Sequence, residues 1–553
     1  MANDFWILLA MVIYFTAMLS IGFIYSKRSN SSSKEYFAGG RGVGPWLTAL
    51  SAEASDMSGW LLMGLPGLAY FTGAADPMWT SIGLALGTYL NWKLVARRLR
   101  RYSVVAGDAI TIPDFFAKRF HDKRGVISTI AALIILVFFC VYVGSCFVTV
   151  GKLFHALFGF DYHLMMIIGA LVVFVYTIVG GYLSVVMTDF IQGVLMFSAL
   201  AVVFIGTVAS AGGIGNTVAF LRAIPGFISG TQVAVPQLDP TSGQQLVEAG
   251  KAVFGAPADY GIITIVSMLA WGLGYFGMPQ VLVRFLSIRS VEEVRKSRII
   301  ATSWCVLSLA SAVCIGLVGR AMMPTHLLTS GDAETIFIVL AQTLLPSFIC
   351  GVVVSGIFAA SMSSSSSYMI IGASAMGENI FRGLLHRKAT DRQVMIVARL
   401  TLIVMFLFGI LVAYDQNSSI FQVVSYAWAG LGASFGPLML CALYWRRANK
   451  AGAVAGMISG TAAVLVWHNL IKPLGGVFAI YELLPAFLIS LACIIVVSLL
   501  TARPSDRMLY EFDHYMDDPL PGTLPSGTLL VDEPMQAMES EVNPRRGDTV
   551  HDA

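Results

Sequence analysis

The chain has 553 residues, of which 57% are hydrophobic and only 12% are charged. Soluble domains carry about 25% charged residues, so this composition excludes an ordinary soluble enzyme, and a disordered chain would be far more polar. The mean hydropathy of +0.76 instead predicts an all-α polytopic membrane protein.

Thirteen segments are long and apolar enough to cross a membrane, which takes about 20 residues. The first follows Met-Ala-Asn-Asp with no basic region before it, so we interpret it as a retained helix and not as a signal peptide. The predicted spans are about 5–26, 44–72, 75–97, 125–153, 163–186, 188–212, 258–286, 299–323, 340–380, 394–414, 419–445, 451–471 and 478–502.

The basic residues between these spans are distributed unevenly. If the N-terminus is outside, 26 Lys and Arg residues, Arg284 among them, lie in the inner loops and span ends, and five lie in the outer ones. Because positive charge accumulates in cytoplasmic loops, we predict a multi-pass protein of the cell membrane with its N-terminus outside and its C-terminus in the cytoplasm. A basic excess beside the membrane indicates contact with the lipid bilayer, not with nucleic acid.

Polar residues interrupt the second span. The stretch LSAEASDMSGWLLMGLPG, from Leu50 to Gly67, holds Asp56 between two serines and just before Gly59. These residue types favour a break in a helix, and irregular backbone at membrane depth survives only where it is buried in protein or lines a cavity. Carbonyls freed at such a break can coordinate Na⁺. The alternative is a proline kink with a buried, hydrogen-bonded Asp56.

Glu53 adds a second carboxylate to the same span. Being three residues apart, Glu53 and Asp56 share a helical face. Two negative charges at that distance repel each other, so we expect at least one of them to have a cation, a base or a proton beside it.

The seventh span is interrupted as well. Its stretch WGLGYFGMPQ, from Trp271 to Gln280, brings three glycines and Pro279 into an apolar run, with Tyr275 one turn after Trp271. Aromatic side chains beside an opened backbone can wall a pocket for a small organic solute. A glycine-kinked packing helix is the alternative.

The two interrupted spans occupy corresponding positions, since each opens a set of five helices if the first helix is peripheral. The offset of five spans is odd, so we predict a five-plus-five inverted-repeat transporter core. The predicted division is a peripheral first helix and inner loop at 1–43, a first repeat at 44–212, an extracellular loop at 213–257, a second repeat at 258–445, two peripheral helices at 446–502, and a disordered acidic cytoplasmic tail at 503–553.

Two further polar stretches lie within apolar runs. In FAASMSSSSSYM the residues Ala360, Ser363 and Ser364 share a helical face, which suits either a small-residue packing interface or oxygen ligands for Na⁺. Asp189 follows Gly180-Gly181 and opens the sixth span at its inner edge, either as an N-cap or as a waystation for a departing cation.

Catalytic motifs are absent from the sequence. It holds no H-E-x-x-H, no Walker motif and no Ser/His/Asp grouping that spacing supports, so we predict that the protein is neither an enzyme nor an ATP-driven pump. The seven cysteines lie in apolar runs without C-x-x-C spacing, which is typical of buried thiols.

The interrupted stretches together resemble the sodium/solute symporter family, most closely its bacterial sodium/proline branch. The resemblance runs from Ser51 to Gly460 and implies the inverted-repeat fold and sodium-driven uptake of L-proline by alternating access. The motifs that carry it are SAEASDMSGWLLMGLPG, GLALGTYLNWKLVARRLR, WGLGYFGMPQVLVRF, VSYAWAGLGASFGP and GAVAGMISG.

The resemblance also implies roles for individual residues. Positions similar to the family's sodium ligands are the carbonyls of Ala54, Met57 and Ala360 and the hydroxyls of Ser363 and Ser364. Positions similar to its substrate-binding residues are Ser58, Gly59, Tyr142, Trp271, Tyr275 and Pro279. Asp56 matches the essential aspartate, while Arg41 and Asp189 match a basic and an acidic residue of the cytoplasmic sodium path. Glu53 departs from the family's small residue.

Three functions stay open on this basis. The first is sodium-coupled uptake of L-proline. The second is symport of another small solute, such as a monocarboxylate, sugar or vitamin, coupled to sodium or to protons, since Glu53 can carry a proton. The third is a membrane sensor on the same fold, which would need a signalling domain after the last span, and the tail at 503–553 is short for one.

Overall fold

The protein is almost entirely helical over the residues that the computed structural model describes, which are 2–29, 36 and 41–517. The helices in chain order are α1 (Ala2–Ser29), α2 (Pro45–Asp56), α3 (Leu65–Thr72), α4 (Ala75–Leu90), α5 (Arg97–Val105), α6 (Ile112–Arg119), α7 (Val126–Phe158), α8 (Tyr162–Ser210), α9 (Ile214–Arg222), α10 (Ile262–Leu269), α11 (Pro279–Ser287), α12 (Val294–Met322), α13 (Ser330–Ala333), α14 (Ile336–Leu344), α15 (Ser347–Ser374), α16 (Asp391–Val412), α17 (Ile420–Tyr444), α18 (Lys450–Val466), α19 (Leu483–Leu500) and α20 (Asp506–His514).

Several tighter or wider helical turns extend or join these helices. Turns of the π type occupy Trp60–Gly64, Asn91–Ala96, Ala375–Leu385 and Trp467–Ile471. Turns of the 3₁₀ type occupy Ala270–Gly277, Lys472–Leu474 and Gly476–Ala479. Turns of the π and 3₁₀ types inside long helices often mark functional sites. Two of them, Trp60–Gly64 and Ala270–Gly277, lie in the two spans predicted to be interrupted.

Within the described residues, nine helices are long and apolar enough to cross a membrane, and the bent pair Ile262–Gly277 and Pro279–Ser287 adds a tenth span. The predicted spans 44–72 and 75–97 fall outside this set. In the first of them the helices are short, since α2 ends at Asp56 and Trp60–Thr72 is a separate segment. The predicted spans 163–186 and 188–212 lie in one run, α8. A polytopic helical membrane protein is therefore confirmed, and the count of thirteen spans stays a prediction.

Gly181 divides α8 into two helices. Its φ of 68° lies in the left-handed region, which glycine adopts readily and side-chain-bearing residues avoid. The break falls within the Gly180-Gly181 stretch, so the boundary between the two predicted spans lies a few residues before residue 188.

Helix α15 lies at the centre of the bundle and packs against α1, α2, α7 and α8. Every residue from Val353 to Ser374 is buried. Its many serines and alanines allow the neighbouring helices to approach closely, which is how helices associate where no hydrophobic driving force separates them from lipid.

The segment predicted as an extracellular loop holds α9 and four short strands. Strand β1 (Gln232–Val233) pairs antiparallel with β4 (Ala258–Asp259), and β2 (Val247–Glu248) pairs antiparallel with β3 (Lys251–Ala252). Phe227 is buried in a small apolar cluster between α9 and this region. The segment therefore contains regular secondary structure and a small buried apolar cluster.

The start of the tail is helical, so the prediction of disorder from residue 503 is wrong for α20. An ion pair of 2.7 Å joins Asp513 of this helix to Arg446, which follows α17. Tyr515, directly after the helix, stacks on Tyr102 of α5 at 4.5 Å between ring centroids. The rest of the predicted tail, 518–553, lies outside the described residues.

Candidate functional site

The predicted break in the second span is present. Helix α2 ends at Asp56, and Met57 has a non-helical ψ of 75° before helical geometry resumes at Gly59. The amide of Ser58 donates to the Asp56 carbonyl at 3.1 Å, so it does not make the helical bond to Ala54. The carbonyl of Ala54 is thereby freed inside a fully buried region.

Helix α15 faces this break. The Ser364 hydroxyl lies 3.5 Å from the Ala54 carbonyl and donates to it. Ala360 and Ser363 are completely buried on the same helix, and the Ser363 hydroxyl donates to Asp189 Oδ1 at 2.5 Å. Two predicted sodium-ligand positions from distant segments are therefore brought together, and carbonyls at an unwound helix are suited to hold Na⁺.

Asp56 ties the break to two further helices. One carboxylate oxygen accepts a hydrogen bond from Gln280 Nε2 of α11 at 3.0 Å, and its carbonyl accepts one from the Tyr142 hydroxyl of α7 at 3.1 Å. The Ser58 hydroxyl donates to Tyr142 at 3.4 Å. The second oxygen of Asp56 has no partner among the described residues. Asp56 thus connects the break of α2 to α11 through its carboxylate and to α7 through its carbonyl.

The seventh span is broken as predicted. Met278 has an extended ψ of 106° between the 3₁₀ turn Ala270–Gly277 and α11, which starts at Pro279, and the two parts meet at 44°. Proline suits this first helical position, because an N–H group there would have no acceptor within the helix and proline lacks that group. Trp271 and Tyr275 lie on the turn, and both are buried.

Aromatic rings surround Trp271. It stacks on Tyr481 with 4.9 Å between centroids, while Trp428 approaches Tyr275 edge-on at 5.1 Å. Further rings near Trp271 are those of Phe421, Trp428 and Trp60, at 5.2, 6.2 and 6.3 Å. These walls suit a small solute with an apolar body.

Asp189 lies inside α8 and is completely buried, so its interpretation as an N-cap is wrong. The carboxylate accepts hydrogen bonds from Ser51 at 2.7 Å and Ser363 at 2.5 Å, and it forms an ion pair of 3.0 Å with Arg284. Arg284 was counted with the inner-face charges, but it is 1% exposed.

Arg284 connects four elements. Its guanidinium donates to Ser51 of α2 at 3.1 Å, to the Gln280 carbonyl of α11 at 2.9 Å and to Ser367 of α15 at 2.6 Å, besides Asp189 of α8. A planar fork of five donors is suited to such a junction. Arg284 thus fixes the break of α2 relative to α8 and α15.

Arg41 lies away from this junction. Its guanidinium pairs with Asp108 at 2.9 Å and donates to the Ala109 carbonyl at 2.9 Å. The described partners of Arg41 therefore lie in the segment before α6, and none of them is Asp189. Its φ of 53° places it in the left-handed region.

A second buried ion pair joins other elements. Lys152 of α7 lies 2.7 Å from Glu334, which follows α13. Lys152 also donates to the Ser418 carbonyl at 2.9 Å, and the other oxygen of Glu334 accepts from Ser419 at 3.0 Å. These contacts hold the start of α17 against α7 and α13.

Sequence reasoning missed several of these residues. Gln280 and Arg284 lie four residues apart in the stretch WGLGYFGMPQVLVRF, which is otherwise apolar. An arginine within such an apolar stretch is a sequence signal for a buried polar site. No local signal indicates Tyr481, because it meets Trp271 only through the tertiary fold.

Two broken spans, with buried oxygen atoms facing a central helix at one break and aromatic rings around the other, are the arrangement of a secondary membrane transporter. The family model of the sodium:solute symporter family matches residues 36–460. The chain belongs to that family, which confirms the resemblance found in its motifs.

Similar proteins agree with this assignment. The sodium/proline symporters of Staphylococcus aureus strains JH9 and JH1 are each 42% identical over 498 residues, which cover 89% of this chain and 92% of the relative. A solved outward-open, substrate-bound structure of a Na⁺-coupled sialic acid symporter is 21% identical with a TM-score of 0.71, covering 90% of this chain and 99% of that one. This likeness confirms the predicted transporter fold.

Proposed function

We propose that the protein takes up L-proline across the cell membrane together with Na⁺, by alternating access. The main observation behind the proposal is that the freed Ala54 carbonyl lies 3.5 Å from the Ser364 hydroxyl. The second broken span supplies the aromatic rings around Trp271. The names and 42% identity of the sodium/proline symporters support proline as the solute.

Sodium is held between α2 and α15 in this proposal. Its ligands are the carbonyls of Ala54, Met57 and Ala360 and the hydroxyls of Ser363 and Ser364, all of which are buried. Na⁺ is a transported substrate. Its binding brings the broken segment of α2 into contact with α15. Asp56 lies next to these ligands and supplies negative charge, which favours a bound cation.

Proline binds beside the sodium ion. Its carboxylate meets the backbone amide of Gly59, beside Ser58 at the break, and its apolar ring packs on Trp271, Tyr275 and Pro279. Tyr142 orients Ser58 through the hydrogen bond of 3.4 Å. Gly59 is required because a Cβ there would collide with Thr149, which lies against it.

Coupling follows when both ligands stabilise the same arrangement of the broken spans. Each Na⁺ that enters down a potential of about 100 mV supplies about 2.3 kcal/mol before any concentration gradient is added. Arg41 and Asp189 lie on the inner path for sodium in this proposal, with the N-terminus outside and the C-terminus in the cytoplasm.

Uptake of labelled proline into membrane vesicles tests the proposal. Gradients of Na⁺, Li⁺ or protons are imposed in turn, and unlabelled monocarboxylates, sugars and vitamins are added as competitors. We expect a Na⁺ gradient to drive accumulation and unlabelled proline to compete. Accumulation driven by protons alone, or blocked by another solute and not by proline, refutes the proposal and supports the second function considered above.

A further inference from the structure

A tyrosine from outside both predicted repeats reaches the aromatic rings of the seventh span. Tyr481 lies in the segment between α18 and α19, beyond the residues 36–460 that the family model matches. It is 3% exposed, and its ring stacks on the Trp271 indole with 4.9 Å between centroids and 20° between the planes. One face of Trp271 is therefore covered by a residue that the family match does not include.

Hydrogen bonds at both ends of Tyr481 fix the position of its ring. Its amide donates to the Ser267 hydroxyl of α10 at 2.7 Å, and its own hydroxyl donates to the Ser425 carbonyl of α17 at 2.7 Å. Helix α10 leads directly into the 3₁₀ turn that carries Trp271. Helix α17 carries Trp428, whose Nε1 donates to the Trp271 carbonyl at 3.0 Å. Tyr481 thus joins the two elements that hold Trp271.

The next residue anchors the segment that carries Tyr481. Glu482 is completely buried, and its two carboxylate oxygens lie 3.0 Å from His468 Nδ1 and 2.8 Å from Lys472 Nζ. These contacts hold the first part of the segment against its last part. The tyrosine ring is therefore in place before a solute arrives, and such preorganisation lowers the cost of binding.

We propose that Tyr481 is a positioning residue for the solute, and that it sets how large a ring the site accepts. By covering one face of Trp271, it leaves the other face and the edges of the indole for the apolar ring of proline. One additional methylene in a tight apolar pocket changes binding about tenfold. The site then binds L-proline more tightly than L-pipecolate, whose ring has one more methylene, and it loses this preference when the Tyr481 ring is removed.

The inference rests on the proposed symport, and measurements of solute binding test it. Isothermal titration of the purified full-length protein in detergent gives the Kd of L-proline and of L-pipecolate at saturating Na⁺, and the Kd of Na⁺ without solute. Tyr481→Ala should raise the Kd of proline about fivefold, as much as one aromatic pair contributes. The preference for proline over pipecolate should fall about tenfold, because the space left by the ring admits the extra methylene. The Kd of Na⁺ should stay unchanged.

A conservative variant separates the ring from the hydroxyl. Tyr481→Phe keeps the ring that stacks on Trp271 and loses only the hydroxyl that bonds Ser425. It should therefore keep the preference for proline. Tyr481→Leu serves if Tyr481→Ala does not fold, and it should lose the preference because leucine has no ring to stack on the indole.

Tyr515→Ala is the matched control. Tyr515 is 2% exposed, stacks on Tyr102 with 4.5 Å between centroids, and donates its hydroxyl to the Leu443 carbonyl at 2.9 Å. Its removal costs the protein a similar buried stack and hydrogen bond, in a group that does not include Trp271. The Kd values of both solutes should stay unchanged in this variant.

Several results overturn the inference. They are a natural protein that binds pipecolate as tightly as proline, a preference that persists in both Tyr481→Ala and Tyr481→Leu, and a preference that is lost in Tyr481→Phe. A loss of Na⁺ affinity as large as the loss of proline affinity also overturns it, because that result indicates a merely structural role. If the natural protein binds no proline in the presence of Na⁺, the symport proposal itself fails.

Discussion

Replacing Arg284 by Met tests the junction of four elements around Asp189. Methionine approximates the volume of the arginine stem but removes the charge and every donor of the guanidinium. Asp189 keeps the hydroxyl donors of Ser51 and Ser363 at 2.7 and 2.5 Å. It loses its ion pair of 3.0 Å and stays buried with an uncompensated charge.

The expected loss of stability is about 3 kcal/mol. Breaking one partner of a buried ion pair costs about 3–5 kcal/mol, and the two remaining hydroxyl donors place Arg284→Met at the lower end of that range. Adding Asp189→Asn removes the stranded charge. Replacing both members of a buried pair is often neutral, so the double variant should lie within about 1 kcal/mol of the natural protein.

Denaturant unfolding of the purified protein in detergent, followed by circular dichroism, measures these free energies. Arg446→Met is the control, because Arg446 forms a comparably short ion pair with Asp513 at 2.7 Å but its side chain is 58% exposed. Exposed pairs contribute about 0–1 kcal/mol. If Arg284→Met is no less stable than Arg446→Met, or if Asp189→Asn destabilises Arg284→Met further, the reasoning is refuted.

Three further variants test the transport site. Asp56→Asn should abolish Na⁺-dependent proline uptake, because the charge beside the freed carbonyls is lost; normal uptake contradicts its role in coupling. Ser364→Ala should raise the Na⁺ concentration for half-maximal uptake about tenfold, the effect of about 1.4 kcal/mol. Ser355→Ala is its control, since that hydroxyl donates to the Gly351 carbonyl of its own helix at 2.7 Å. Trp271→Ala should weaken proline binding more than Na⁺ binding, measured by isothermal titration; the reverse order reassigns the pocket.

Both broken spans could be predicted because their signals are local. Asp56, Ser58 and Gly59 each disfavour a continuous helix within four residues of chain, and Pro279 cannot continue one. The structure places both breaks where these residues lie. Backbone conformational preference depends on a few neighbouring residues, so a helix break can be predicted from the sequence without knowledge of the fold.

The same reasoning misplaced Asp189 and Arg284. Local sequence suggested a helix cap for Asp189, with a cation waystation as the alternative, and an inner-face charge for Arg284. The cap and the inner-face charge are consistent with the neighbouring residues but not with the fold. The two residues are 95 positions apart. Their pairing exists only because α8 and α11 meet beside α2 and α15.

The tail shows the limit of composition. Its acidic residues, glycines and prolines predict disorder from residue 503, yet Asp506–His514 form a helix. That helix is held by a surface that the rest of the chain provides, including Arg446 and Tyr102. The stability of a short helix comes mainly from such packing, which composition does not record.

The sequence by itself determined that this is a membrane protein with two interrupted helices, because scarce charge, apolar length and local breakers are properties of single segments. Only the tertiary structure decided which buried groups meet. It joined Ala54 to Ser364, paired Asp189 with Arg284 and left Oε2 of Glu53 without a hydrogen-bond partner among the described residues. Burial makes an unmatched charge expensive, and whether a charge is matched depends on distant segments packed around it.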